Sequence, residues 1–193
     1  MLDYNIIPSW SGYQGSEDQV LSQVFTLWYH FQKKGFKYSD ITTQSGSDER
    51  SAGQVIRFVK DALQTSQANC IDGTVLFASF LYKVGIDVSI VLVPGHAYLA
   101  FSLNSDGSKM FALETTLMGD LNIEHGSAQD DLYNSMNGLE TSVQKSWSSF
   151  LGAVNEGSAN YHNKAKPEIL AGNPQFMEIN IKEARRQKIR PIR

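Results

Sequence analysis

The chain contains a single cysteine, Cys70, and it is followed by a histidine, His96, and a carboxylate, Glu114. A thiolate can attack a carbonyl carbon. An imidazole can take and return the proton, and a carboxylate can orient the imidazole and stabilise its positive charge. Together these residue types suit nucleophilic thiol catalysis. Whether they act together depends on the elements that carry them.

A buried helix is predicted from Ile71 to Val84, because apolar residues fall on nearly every face of this segment. Asn69 is a favourable N-cap, and Gly85 is well placed to end the helix. Cys70 would then lie in the first turn, where free N–H groups and the helix dipole favour a thiolate. Gly73 is costly in a helix, which indicates that another segment approaches the backbone closely there.

Three β-branched or alternating segments after this helix predict strands, from Asp87 to Val93, from Ala97 to Leu103 and from Lys109 to Thr115. Pro94-Gly95 separates the first two strands. Ser105-Asp106-Gly107, with Gly107 in the left-handed region, would form the loop between the last two.

This loop fixes the register of the last two strands. The predicted pairs are Ser102 with Met110, Ala100 with Ala112, and Tyr98 with Glu114. His96 then lies diagonal to Glu114 on one face, within reach of a long side chain. That face is otherwise small or polar, and it could accept the helix end that carries Cys70. The opposite face is apolar and predicts the core, with Ala97, Leu99, Phe101, Leu103, Phe111 and Leu113.

An acyl-transfer site also needs a hydrogen-bond donor for the oxyanion. The candidates are the side chains of Gln64 and Gln67, together with the backbone N–H of Cys70. Asp72 is interpreted as a first-turn acid that interacts favourably with the helix dipole. No histidine has partners at metal-ligand spacing, so no metal and no cofactor is expected, and His30, His125 and His162 are predicted at the surface.

Several segments resemble bacterial proteins of the transglutaminase-like superfamily of papain-type thiol enzymes. They are NCIDGTVLFASFL from Asn69, VLVPGHAYLAF from Val91 and LETT from Leu113, with QVIRF from Gln54 and INIKEARRQKIRPI from Ile179. The resemblance covers most of the chain. It implies a papain-like α+β fold in which a buried helix with an N-terminal cysteine packs on an antiparallel sheet with flanking helices.

The resemblance further implies that Cys70 is the nucleophile, His96 the base and Glu114 the third member. The chain departs from the superfamily because the third member there is usually Asp. No motif fixes the oxyanion residue either. Gln64 has the spacing before the cysteine that is seen in papain-like proteases, and Gln67 competes with it.

The 193 residues fit one domain and carry a net charge of −3, which gives no reason to expect a nucleic-acid partner. Residues 1–16 are predicted as an irregular N-terminal arm and residues 182–193 as a basic C-terminal tail. No run reaches membrane-spanning length, and one cysteine excludes an internal disulfide. The segment MLDYNIIPSW lacks the features of a signal peptide, but a leader removed from this sequence is an alternative. The compartment and the oligomeric state stay open.

The remaining segments complete the prediction. Helices are predicted from Glu17 to Lys34, from Gln54 to Leu63 and, as one or two helices, from Leu132 to Val154. A strand is predicted from Phe176 to Ile181, a short extended piece from Phe36 to Ile41 and a helical turn from Glu183 to Lys188. Loops are predicted from Thr42 to Gly53 and from Gly157 to Pro174.

The predicted function is thiol-dependent acyl transfer or hydrolysis on a peptide, isopeptide or other amide bond, with a protein or peptide substrate. One alternative is an inactive binding or scaffolding module in which Cys70 is a small buried hydrophobe, His96 a turn residue and Glu114 an exposed strand end. Another is a small-molecule acyltransferase, although no Gly-rich phosphate loop supports it. Hydrolysis and transamidation differ in how water is excluded from the acyl-enzyme, which the sequence does not specify.

Overall fold

A computed structural model of the protein describes residues 5–39, 56–122 and 141–189. Its first elements are α1 (Glu17–Lys33), β1 (Lys37–Tyr38), α2 (Val59–Thr65), β2 (Gln67–Ala68), α3 (Cys70–Lys83), β3 (Val88–Val93), β4 (His96–Ser102) and β5 (Met110–Leu113). A short 3-10 helix (Thr115–Gly119) follows, then α4 (Thr141–Asn160), a π-helical turn (Tyr161–Ala165), α5 (Lys166–Leu170), β6 (Met177–Asn180) and α6 (Ile181–Arg186). The fold is mixed α+β, with helices around an antiparallel sheet, as the sequence predicts.

The main sheet has four strands in the order β5-β4-β3-β6, and all of its pairs are antiparallel. Ser102 pairs with Met110 and Ala100 with Ala112, so the predicted register of the β4–β5 hairpin is confirmed. Gly107 has the left-handed φ of 75° that this loop requires. The ladder ends at Leu113, so Glu114 follows the strand instead of lying within it.

Helix α3 packs on the apolar face of the sheet, which corrects the expectation that its Cys70 end docks on the His96 face. Leu76, Phe77 and Leu81 share a core with Leu99, Phe101 and Leu113, together with residues of α1 and α4. Cys70 and Ile71 contact Ala97, which points to this same face. A helix that is apolar on most sides is stabilised by burying its surface, and the apolar face allows this.

The small and polar face of the sheet is covered instead by the segment that follows α4. Tyr161 and Ala165 are buried against Val91, Tyr98 and Ala100. The prediction of a loop from Gly157 to Pro174 is therefore wrong as far as Leu170, because α4 continues through Gly157 into the π-helical turn and α5, whereas residues 171–174 contain no helix or strand. The sequence here is polar and interrupted by Gly and Pro, but tertiary packing outweighs these weak local preferences.

Smaller differences concern the ends of elements. Helix α1 and its stop at Gly35 agree with the prediction, whereas α2 begins at Val59 and residues 56–58 are not helical. Residues 181–186 form α6, so the basic segment is helical at its start and is not simply a tail. Residues 5–16 contain no helix or strand, as predicted for the arm.

Other predictions fall wholly or partly outside the described residues. They are the loop from Thr42 to Gly53, His125, the start of the helix from Gln54 and the residues from Leu132 to Glu140. Among the residues that the structure does describe, no helix is long and apolar enough to span a membrane.

Candidate active site

Cys70 occupies the first position of α3, as the sequence predicts. The Asn69 side chain accepts the N–H of Asp72 at 2.9 Å, and the Asp72 carboxylate accepts the N–H of Asn69 at 3.4 Å. This reciprocal capping fixes the start of the helix and therefore the position of the thiol. Cys70 is buried, with 9% of the residue's surface exposed.

Gly73 contributes to the site through the contact that its backbone makes. A Cβ atom added there would lie 3.0 Å from Oγ1 of Thr115, the residue that follows Glu114. The predicted close approach at Gly73 is therefore confirmed. It brings the first turn of α3 against the segment that carries the carboxylate.

His96 is positioned by the hairpin between β3 and β4. It pairs with Val93 across the two-residue turn Pro94-Gly95, in which Gly95 has a φ of 72°. The imidazole thus lies at the end of the sheet, next to the start of α3. Its side chain is 33% exposed, so one part of the ring reaches solvent while another faces protein.

Glu114 is buried and accepts hydrogen bonds on both carboxylate oxygens. Its Oε2 lies 2.7 Å from Nε2 of His96. Its Oε1 accepts the Thr116 hydroxyl at 2.7 Å and the Thr116 N–H at 3.2 Å. The carboxylate is the N-cap of the 3-10 helix, which holds it in one orientation while it contacts the imidazole.

The ionisation of Cys70 and His96 is coupled. A hydrogen bond with His96 lowers the pKa of the Cys70 thiol, although burial opposes this; N–H groups of Ala97 and Ile71 lower it further. The hydrogen bonds with Cys70 and with Glu114 raise the pKa of His96 to about 10. Both shifts favour a thiolate beside an imidazolium over a neutral pair.

The structure brings the three predicted residues together in the order thiol, imidazole and carboxylate. Because Nε2 of His96 faces Glu114, the other ring nitrogen, Nδ1, is the one left for Cys70. An imidazole held between a thiol and a carboxylate can transfer a proton to and from the thiol while the carboxylate fixes its orientation.

Neither oxyanion candidate is buried in the site. Gln64 lies on α2 and Gln67 on β2, and both are exposed. The backbone carbonyl of Gln67 accepts Nη1 of Arg57 at 3.3 Å. The backbone N–H of Cys70 remains a candidate, since the first N–H groups of a helix have no intrahelical partner.

Sequence reasoning underestimated Asp72. Besides capping α3, its buried carboxylate accepts the N–H of Arg57 at 2.8 Å and lies 3.6 Å from Nε of Arg57. It therefore ties the segment before α2 to the start of the cysteine helix. The spacing from Asn69 to Asp72 is a capping-box signal that the sequence contains, whereas the contact with Arg57 is visible only in the fold.

Two further residues support the triad. Thr116 lies in the LETT segment, and no pattern in the sequence indicates that its hydroxyl holds Glu114. Tyr98 is buried, with its ring centroid 6.1 Å from that of His96, and its hydroxyl has no partner among the described residues. Burial, with Glu114 and Glu178 nearby, raises the pKa of Tyr98 to about 12, so Tyr98 forms a neutral wall beside the imidazole.

The other histidines do not join this site. His162 is exposed and its Nε2 lies 3.0 Å from the carbonyl of Met110, while His30 is half-buried on α1. Within residues 5–39, 56–122 and 141–189, no group of three His, Cys, Asp or Glu side chains could hold a metal ion.

Comparison of the chain with protein-family models, curated proteins and solved structures gives no match. The chemistry of the site is therefore inferred from its own geometry.

Proposed function

We propose that the protein is a thiol-dependent acyl-transfer enzyme acting on a peptide, isopeptide or other amide bond, with Cys70, His96 and Glu114 as its triad. The observation that carries the proposal is the 2.7 Å contact between Nε2 of His96 and the buried carboxylate of Glu114, made while the same imidazole lowers the pKa of Cys70. A histidine that serves only in a turn would need neither partner.

The proposed fold family is the papain-type, transglutaminase-like one. It is supported by the order in which the triad residues and the elements that carry them follow along the chain. A buried helix with cysteine at its first position is followed by an antiparallel hairpin strand with the histidine and by the end of a third strand with the acid. The fold alone would not specify the reaction, so the functional proposal depends on the site.

The chemistry begins with attack of the Cys70 thiolate on the substrate carbonyl carbon, which forms a C–S bond and a tetrahedral oxyanion. The imidazolium of His96 then donates its proton to the leaving amine as the C–N bond breaks. The product amine departs and an acyl-enzyme thioester remains. Glu114 keeps the imidazole oriented and stabilises its positive charge in the resting state.

Release of the acyl group reverses the role of His96. The neutral imidazole takes a proton from a water molecule or from an acceptor amine, which attacks the thioester carbonyl. The C–S bond breaks and the thiolate and imidazolium are restored. The N–H of Cys70 is the proposed oxyanion donor, because the side chains of Gln64 and Gln67 are exposed.

The proposal predicts a Cys70 thiolate at a pH where an ordinary thiol is protonated. Because the chain has one cysteine, the rate of alkylation by iodoacetamide reports on Cys70 alone. The midpoint of this rate against pH should lie well below the ordinary thiol pKa of about 8.5. In His96→Ala the midpoint should return to about 8.5 or above, because the cationic partner is gone and burial remains.

The matched control is His162→Ala, which removes an exposed histidine far along the chain and should leave the midpoint unchanged. An ordinary midpoint in the wild type, or one that His96→Ala does not move, would reject the proposal. The chain would then be better described as a binding module in which Cys70 is part of the core. If the midpoint behaves as expected, a panel of peptide amides and amines would separate hydrolysis from transamidation.

A further inference from the structure

Glu114 lies beyond the end of β5, so the sheet does not hold it through strand pairing. Strand β5 is also an edge strand, and only one of its sides pairs with β4. A hydrogen-bonded contact with His96 nevertheless requires the Glu114 backbone to be fixed within a fraction of an ångström. Something other than the sheet must therefore hold it.

Helix α4 supplies these contacts along the outer side of β5. The N–H of Glu114 donates to the carbonyl of Ala153 at 3.1 Å. The N–H of Ala112 donates to Oγ of Ser158 at 3.0 Å, and that hydroxyl lies 3.3 Å from the carbonyl of Ala112. A helix thus satisfies backbone groups that an edge strand would otherwise leave open.

Gly157 is what allows the helix to come so close. A Cβ atom at this position would lie 2.8 Å from the carbonyl carbon and oxygen of Ala112 and from the backbone nitrogen of Glu114. All three atoms belong to the backbone, so no side-chain rotation can relieve the contact. Any side chain at Gly157 must separate α4 from the strand or displace the strand end.

We propose that Gly157 and Ser158 are positioning residues for the Glu114 carboxylate, an inference that rests on the proposed function of the triad. Gly157 sets the distance between α4 and the end of β5, and Ser158 holds the strand in register with the helix. Together they fix the backbone from which Glu114 reaches His96. On the other side, Gly73 of α3 contacts Thr115, so this segment is held between two helices.

The test is the pKa of the His96 imidazolium in Gly157→Ala, followed by NMR of its ring protons. Alanine favours a helix over glycine, so a variant without a steric conflict would be stabilised and unchanged in its site. We expect instead that the pKa of His96 falls by about one unit, because an opposite charge in hydrogen-bond contact shifts a pKa by about 1–3 units and its displacement removes part of that shift.

Gly12→Ala is the matched control. Its Cβ would lie 2.9 Å from the carbonyl oxygen of Val84, at the opposite end of α3 from Cys70. It introduces a similar backbone conflict, with a φ of 56° that also strains alanine, but it does not touch the Glu114 segment. It should lower the unfolding midpoint in urea and leave the pKa of His96 where it is in the wild type.

A second variant covers the case in which Gly157→Ala does not fold. Ser158→Ala adds no atoms and removes the hydrogen bond to Ala112. It should lower the pKa of His96, whereas Ser148→Ala on the same helix should not. An unchanged pKa of His96 in these variants, or an equal fall in Gly12→Ala, would overturn the positioning role while leaving the triad proposal intact. A wild-type alkylation midpoint of Cys70 at the ordinary thiol value would instead overturn the triad proposal and this inference with it.

Discussion

The structure gives a physical reason for the length of the Glu114 side chain. The residue lies after β5 and at the N-cap of the 3-10 helix, so its side chain must reach from there to His96 while its other oxygen stays with Thr116. An aspartate would be shorter by one methylene. The longer side chain makes both contacts from a position outside the strand.

The charge of Glu114 is predicted to matter more than its shape. Glu114→Gln keeps the size of the side chain and an oxygen that can face Thr116, but it removes the negative charge beside the imidazole. The pKa of His96 should therefore fall by about 1–3 units, as measured by NMR titration of its ring protons.

The control for this change is Glu178→Gln. Glu178 is half-buried beneath the same face of the sheet, where it accepts the Tyr161 hydroxyl at 2.9 Å, but it does not contact His96. It should leave the pKa of His96 in place. Glu114→Asp should give an intermediate value because the charge is kept and the reach is reduced. An equal pKa of His96 in the wild type and in Glu114→Gln would show that the carboxylate does not stabilise the imidazolium.

At the scale of elements, the start of α3 depends on a buried charge. Asp72 accepts backbone N–H groups from Arg57 and Asn69 and lies close to the Arg57 guanidinium. Asp72→Ala would remove the acceptor of these two N–H groups and the negative charge beside the guanidinium, which would keep its contact with the Gln67 carbonyl. We expect a loss of about 3–5 kcal/mol in the free energy of unfolding, measured by urea titration.

Asp61→Ala is the comparison, since Asp61 is also a first-turn aspartate but is exposed on α2. Its loss should cost less than about 1 kcal/mol, in the range of helix-dipole contributions at the surface. Similar losses in the two variants would mean that Asp72 acts through the helix dipole alone, as the sequence had suggested.

The elements that could be predicted from the sequence are those specified by neighbouring residues. The start of α3 follows from Asn69, and the hairpin register follows from the loop with Gly107. The contact of Glu114 with His96 then follows from that register together with the length of the glutamate side chain. Each of these features depends on residues that are close in sequence or that pair across a single hairpin.

What could not be predicted depends on pairs that are distant in sequence. The alternation of residues along the strands predicts the two faces of the hairpin correctly. It cannot indicate which helix covers which face, and α3 packs on the apolar face instead of the predicted His96 face. The role of Asp72 required Arg57, and the continuation of α4 through Gly157 required its contact with Ala112. In each case tertiary packing outweighed a weak local preference.

At the scale of the whole molecule, the triad is held by the same packing that stabilises the fold. Cys70 comes from a helix in the main core, His96 from a hairpin end, and Glu114 from a segment between α3 and α4. Because the site is made only when these elements are packed together, its ionisation contributes to folding stability. The thiolate and imidazolium should therefore leave a signature in the pH dependence of unfolding.

The sign of this dependence follows from counting protons. In the unfolded chain His96 and Cys70 titrate at about 6.5 and about 8.5, whereas in the folded state the pKa of His96 is raised to about 10 and that of Cys70 is lowered. Below about pH 6.5, wherever the folded Cys70 is a thiolate, the unfolded pair holds one more proton than the folded pair, so stability rises with pH. Between about 6.5 and 8.5 the counts are equal. Above about 8.5 the folded pair holds one more proton, so stability falls until the imidazolium titrates.

The predicted observable is the difference in unfolding free energy between the wild type and His96→Ala, measured by urea titration across this range. It should be flat between about pH 6.5 and 8.5 and should decrease on both sides, by at most about 1.4 kcal/mol per pH unit. Taking the difference cancels the titration of distant carboxylates, which both proteins share. A neutral thiol and imidazole would give a curve without this plateau and its two falling sides. Observing a curve of that kind would exclude the ion pair on which the proposed chemistry depends.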